Sequence, residues 1–150
     1  MRLVALVPLA LLTGCSLFMH SIERPSAEVR GVAVSSASFT GISGELALDV
    51  TNPNGFGVPL SGIDWQLSIG GTRAVTGSVE LNQTIPARGV APVKTTLSIA
   101  ASDAIAVGGA LAAGSRDYRI DVKLHFSTSV GQLDVDVEHT GQLGDALALR

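Results

Sequence analysis

From Glu28 onward, apolar and polar residues alternate with a period of two along most of this chain. Val32 and Val34 open a first strand that runs to about Phe39. Leu46, Leu48 and Val50 alternate with Glu45, Ala47 and Asp49 until Asn52-Pro53-Asn54-Gly55 breaks the run. Ile63, Trp65, Leu67 and Ile69 alternate with Asp64, Gln66 and Ser68. Gly70-Gly71 predicts a hairpin turn, and Val75, Gly77, Val79 and Leu81 carry the return strand. Val93, Thr95, Leu97 and Ile99 share one face of a further strand. Tyr118, Ile120, Val122, Leu124 and Phe126 share a face of the next, and Leu133, Val135 and Val137 of the last. Each segment has one face for a core and one for water. A single such sheet cannot bury its own apolar side, so two must pack together. About seven strands with Gly, Pro and Asn turns predict an all-β, antiparallel sandwich.

One stretch departs from the rhythm. Ala101 to Ala113 is alanine-rich and reads as a short helix. Ser102 or Asp103 can cap its start and Gly114 can end it. Gly108 and Gly109 cost about 1 kcal/mol each relative to alanine, so this helix survives by packing. Ile105, Ala112 and the neighbours of Gly108 and Gly109 are the expected points of contact with the sandwich, with a close approach through the two glycines.

The last two strands permit a register prediction. If Phe126 faces Leu133 across a hairpin, Leu124 faces Val135 and Val122 faces Val137. The polar face then sets Lys123 opposite Asp136, His125 opposite Asp134 and Asp121 opposite Glu138. The first two pairs are favourable and the third is not. The core alternation, rather than the charges, fixes this register.

The amino terminus has a different character. Arg2 precedes an apolar run, Leu3 to Leu12, which is too short for a bilayer span of about 20 residues. Its length suits the apolar centre of a signal peptide. The run closes on Leu12-Thr13-Gly14-Cys15, which resembles the lipobox of bacterial lipoprotein precursors. That resemblance implies cleavage before Cys15, lipid on its sulfur and usually a further acyl chain on the new amino group. Two or more chains hold a protein firmly to a bilayer, where one holds weakly. Cys15 is the only cysteine, so it has no partner for an intramolecular disulfide. Residues 1–14 are thus expected to be a leader, 15–27 an acylated cysteine with a flexible tether, and 28–150 one domain. Phe18 and Ile22 are the tether residues able to brush lipid or domain. Ser16, in place of aspartate, implies by family sorting rules an outer-membrane anchor facing the periplasm.

Charge and composition narrow the partners. Without Arg2 the chain from Cys15 carries 9 basic and 13 acidic side chains, a net charge of −4. No basic patch emerges, so nucleic acid is not an expected partner. At 46% hydrophobic residues the chain should fold, without disulfide staples.

Candidate chemistry is sparse. Asp134, Asp136 and Glu138 share a face, but alternate strand residues lie about 6.6 Å apart and do not converge as calcium ligands must. His20, His125 and His139 are scattered and lack zinc spacing. There is no Gly-x-Ser-x-Gly elbow and no phosphate-binding loop. The expectation is therefore no enzyme, no cofactor and no metal. Trp65 could stack a ligand, though its place among Ile63, Leu67 and Ile69 reads as core. Asn52, Pro53 and Asn54 could form a binding loop, but they read more strongly as structural: asparagine side chains bond nearby backbone and proline ends a ladder.

These residues also carry a family resemblance. Leu46–Val50 with Asn52-Pro53-Asn54, Val58–Leu60, Ile63–Ile69, Gly70-Gly71, Val75–Leu81 and Ile85-Pro86-Ala87-Arg88-Gly89 before Val93–Ile99 form an ordered set. That set resembles the group 2 late embryogenesis abundant proteins, or water stress and hypersensitive response domain, over about Val32 to Gln142. The resemblance implies a fibronectin type III-like sandwich with a short helix. It also implies a link to desiccation stress and to association with proteins or membranes, and supplies no catalytic residues. The lipobox sets this chain apart from plant members. Three roles follow as expectations: an anchored interaction or structural module with a partner protein in the cell envelope, a carrier or sensor of a small apolar molecule or lipid held between the sheets, or direct protection of other proteins during drying.

Overall fold

A computed structural model describes residues 22–38 and 40–142. The leader, Cys15, Phe18, His20 and Asp145–Arg150 lie outside the described residues. Seven strands and one helix follow in order: β1 (Ser26–Ser38), β2 (Gly41–Asn52), β3 (Val58–Ile69), β4 (Thr72–Ile85), β5 (Gly89–Ala100), α1 (Ala101–Ala112), β6 (Asp117–Thr128) and β7 (Gly131–Gln142). They form a three-stranded sheet, β1-β2-β5, packed on a four-stranded sheet, β4-β3-β6-β7. Every pairing is antiparallel. β4 joins the sheet of β3, β6 and β7 rather than that of β1, β2 and β5, which gives the fibronectin type III arrangement and not the immunoglobulin constant one. β5 meets β4 along one side of the sandwich and β1 meets β7 along the other.

The alternation that defines the strands also fills the core. Leu46, Leu48 and Val50 of β2, Leu60 and Ile63 of β3, and Ile120, Leu124 and Phe126 of β6 are fully buried between the sheets. Burying each such side chain is worth roughly 1.5–3 kcal/mol. Trp65 belongs to this core, 4% exposed. It pairs with Gly77 on β4, and a Cβ added at Gly77 would lie 2.4 Å from the indole, so the glycine makes room for the ring. In β3 the inward positions shift phase between Leu60 and Ile63 because of a bulge between Leu60 and Gly62. The Gly70-Gly71 hairpin forms as expected, with φ of 57° and 79°, values that glycine adopts freely. The β6–β7 register is the expected one, pair for pair.

Two expectations are corrected. β1 begins at Ser26, six residues before Val32, so the end of the expected flexible tether is ordered strand. Bulges between Val29 and Gly31 and between Val34 and Ser36 interrupt the period of two and hide the strand in the sequence. The helix packs only partly as expected. Val107 and Ala110, the neighbours of Gly108 and Gly109, lie against the core, whereas Ile105 is 77% exposed and Ala112 faces solvent. Gly108 and Gly109 face open space, so neither serves close packing. The helix runs straight on from β5, which puts Ser102 and Asp103 inside its first turn rather than before it. There the Asp103 carboxylate meets the positive end of the helix dipole. Gly114, at φ 88°, ends the helix, and the Ser115 N–H reaches back to the Ala110 carbonyl at 3.1 Å.

The strand directions give the molecule two ends. One end holds the 53–57, 86–88 and 129–130 loops and residues 22–25. The other holds the Gly70-Gly71 turn and the helix.

Candidate functional site

Asn52 is the last residue of β2 and is fully buried. Pro53 removes the next backbone donor, so the ladder stops and the Asn52 side chain takes over the bonding. Its Nδ2 donates to the carbonyls of Phe56 (2.7 Å), Pro86 (3.1 Å) and Ile85 (3.2 Å). Its Oδ1 accepts from the backbone N–H (3.0 Å) and the side-chain Nδ2 (2.9 Å) of Asn54. One amide thereby joins the 53–57 loop to the 86–88 turn. Pro53 itself is exposed.

Asn54 extends the lock to the amino-terminal segment. Its Oδ1 accepts from the Glu23 N–H and its Nδ2 donates to the Glu23 carbonyl, both at 2.8 Å. The chain leading from Cys15 is thus fastened to the domain at Glu23, and Pro25 beyond it is buried. The Arg88 N–H donates to the Asn54 carbonyl at 2.9 Å, and Arg88 adopts a φ of 50° in the turn closed by Gly89 N–H to Pro86 O. Asn52 and Asn54 therefore act as a structural clasp, and their side-chain polar atoms are spent inside the protein.

The second feature is the outer, polar face of the four-stranded sheet. Register sets Ser78, Asp64, Lys123 and Asp136 in one row and Thr76, Gln66, Asp121 and Glu138 in the next but one. A shallow open cleft of about 840 Å³ lies over these rows, with Gly77, Trp65, Val122 and Val137 between them. Its charges are largely internally matched. Lys123 Nζ stands 3.7 Å from Asp136. The unfavourable facing of Asp121 and Glu138 is resolved by Arg119, whose Nη2 lies 2.8 Å from each carboxylate. Both carboxylates hold the guanidinium protonated, Asp121 foremost through its hydrogen bonds. That correction was open to the sequence, since Arg119 precedes Asp121 by two and shares its face.

At the edge of this face His125 is held between two aspartates. Nδ1 lies 2.8 Å from Asp134 and Nε2 lies 2.8 Å from Asp64. Only the imidazolium donates at both nitrogens. Hydrogen bonding to Asp134, then to Asp64, raises the His125 pKa above its ordinary value. Hydrogen bonds also lower both carboxylates: Asp64 through Ser78 and His125, Asp134 through His125 and Gln132. The His125–Asp134 pair follows from the hairpin register, but Asp64 does not. It arrives through β3–β6 pairing across some 60 residues of sequence, which no local signal specifies. The two aspartates sit on opposite ring nitrogens and cannot converge on one cation. Among the described residues no group of three histidine, cysteine or acidic side chains is arranged to hold a metal. His139 lies apart, its ring tilted against Tyr118 at 6.1 Å.

A second, smaller cleft lies near Gly71, Tyr118 and Gly141 at the helix-bearing end. Neither cleft lies between the sheets, where an apolar ligand would be carried. Among the described residues no helix is long and apolar enough to cross a membrane.

Comparison with known proteins gives the fold its relatives. A solution structure from Arabidopsis thaliana superposes with a TM-score of 0.68 at 16% identity, covering 81% of this chain and 82% of the other. A solution structure described as a late embryogenesis abundant protein gives a TM-score of 0.59 at 22% identity, covering 81% and 71%. A crystal structure of a protein from Archaeoglobus fulgidus gives 0.57 at 14% identity, covering 81% and 97%. At these identities the likeness is one of fold. No curated protein matches the chain. The family model described as Late embryogenesis abundant protein matches residues 47–141, from β2 through β7, and by that match the chain belongs to the late embryogenesis abundant protein family.

Proposed function

We propose that this protein is a non-enzymatic lipoprotein of the cell envelope, anchored by acylated Cys15 and presenting its sandwich as an interaction or structural module. The observation that carries the reading is Leu12-Thr13-Gly14-Cys15 closing a short apolar run, with Cys15 the only cysteine. The clasp suits such an anchor. Glu23 is bonded to Asn54 just eight residues after Cys15, so tension on the lipid is received by the buried Asn52–Asn54 network and not by a strand edge. Ser16 directs the protein to the outer membrane, where the domain faces the periplasm. Family membership associates it with water stress, and a partner protein in the envelope is the occupant proposed for a sheet edge or loop.

Mass spectrometry of the mature protein tests the anchor: a chain beginning at Cys15 with two or three acyl chains is expected, and an unmodified amino terminus overturns the reading. Crosslinking in the intact envelope tests the module. A discrete partner, lost when charge is placed on the exposed edge of β1 or β7, is the expected result; an envelope with no partner and no phenotype on deletion counts against it.

A further inference from the structure

Four large apolar side chains are exposed among the described residues: Phe56, Val90, Ile105 and Val130. Their distribution is uneven. Phe56 lies in the 53–57 loop, Val90 is the second residue of β5 beside the 86–88 turn, and Val130 tips the β6–β7 hairpin at 82% exposure. All three sit at the end of the sandwich where Glu23 is clasped. Of these four, Ile105 on α1 lies at the other end.

We infer that this end of the sandwich docks on the bilayer surface, with Phe56, Val90 and Val130 entering the headgroup–acyl boundary. The inference rests on the proposed anchoring of Cys15, and adds the orientation and the lipid-contacting residues. Three observations support it. The first is chain length. Glu23 is the eighth residue after Cys15, so the clasp cannot lie more than about 29 Å from the acylated cysteine even when fully extended. The far end lies roughly another 40 Å away along the twelve-residue strands. The second is charge. Loops 53–57 and 86–88 and residues 22–25 carry Arg24 and Arg88 against Glu23, a positive excess on a chain whose net charge from Cys15 is −4. Basic side chains near an anionic leaflet are attracted to it. The third is rigidity. The Phe56 carbonyl accepts from Asn52, and Arg88 is bonded to Asn54, so the loops that present the apolar tips are already ordered and lose little entropy on contact.

The test uses the full-length protein, processed in a lipoprotein-producing bacterium and reconstituted in phosphatidylethanolamine–phosphatidylglycerol vesicles. Three variants, Phe56→Cys, Val130→Cys and Ile105→Cys, each receive an environment-sensitive dye. Acylation occupies the Cys15 thiol, so the dye reports the introduced position alone. Mass spectrometry first establishes acylation, and a melting transition matching the parent's establishes folding. The expected result is several-fold stronger quenching by brominated lipid at positions 56 and 130 than at 105, with the reverse order for aqueous iodide. Acylated protein that shows equal iodide quenching at all three positions overturns the docked orientation and leaves the lipoprotein reading standing. An unacylated amino terminus overturns the anchor itself, and the orientation with it. Should Phe56→Cys fail to fold, the Val130→Cys and Ile105→Cys pair decides, because both side chains are more than three-quarters exposed.

Discussion

At the scale of single residues, buried polar atoms decide most. Asn52 satisfies three carbonyls and is itself satisfied by Asn54, so its removal exposes a whole set of groups to desolvation without a partner. Asn52→Ala should lower unfolding stability by about 3 kcal/mol in urea titrations. Asn52→Asp should be no milder, because a carboxylate oxygen would then face carbonyls that need a donor. An aspartate variant as stable as the parent would show that water can replace the clasp. Thr95 is the opposite case. Its hydroxyl is buried on the inner face of β5 with no hydrogen-bond partner among the described residues. Thr95→Val keeps the shape and removes the unsatisfied oxygen, and should raise stability by about 1 kcal/mol. A loss of stability in the same titration would point to an unseen partner for that hydroxyl.

At the scale of elements, glycine separates positions that sequence treats alike. Gly108 and Gly109 lie in the helix facing open space, so Gly108→Ala and Gly109→Ala should each stabilise by about 1 kcal/mol through helix propensity. Gly77→Ala sets a methyl group into the Trp65 ring and should destabilise by roughly 1–3 kcal/mol. Thermal melts of the three variants check the contrast, and a stabilising Gly77→Ala would mean the indole has room to move. The same contrast marks what the sequence disclosed. The strands from β2 to β7 and the β6–β7 register were legible because alternation is local and one face must be buried. The start of β1 was not, because bulges break its period. The packing face of the helix was legible only in part, because its alanines and glycines leave a weak apolar stripe: Val107 and Ala110, beside the glycines, pack on the core, while Ile105 does not. Of the site, the asparagine clasp was legible as structural, since Asn-Pro-Asn ends a strand by its own chemistry. Its grip on Glu23 was not, because that contact joins residues 31 apart through backbone atoms that carry no sequence signature.

At the scale of the whole molecule, the polar face of the four-stranded sheet makes stability depend on pH. His125 on β6 ties β3 through Asp64 to β7 through Asp134, so one proton holds three strands together. Lys123, opposite Asp64 and two positions before His125 on β6, favours both carboxylates in their charged form. His125 has its pKa raised in the folded protein above the ordinary value of 6.5. Its contribution is fully present below the unfolded value and is lost as pH rises through the folded one. Asp64 and Asp134 are shifted the other way, below 3.8, so their contribution is present above that value and is lost as pH falls through their folded values. The cluster is therefore fully favourable only between about pH 4 and pH 6.5. Urea midpoints should be higher at pH 5.5 than at pH 8.5 for the parent protein. In His125→Gln, which donates at one end only and does not titrate, that difference should shrink and the remaining stability should track the other ionisable groups. His139 is present in both proteins, so subtracting the two profiles isolates His125. Parallel profiles would mean that solvent screens the two aspartates enough to leave the histidine without effect on folding.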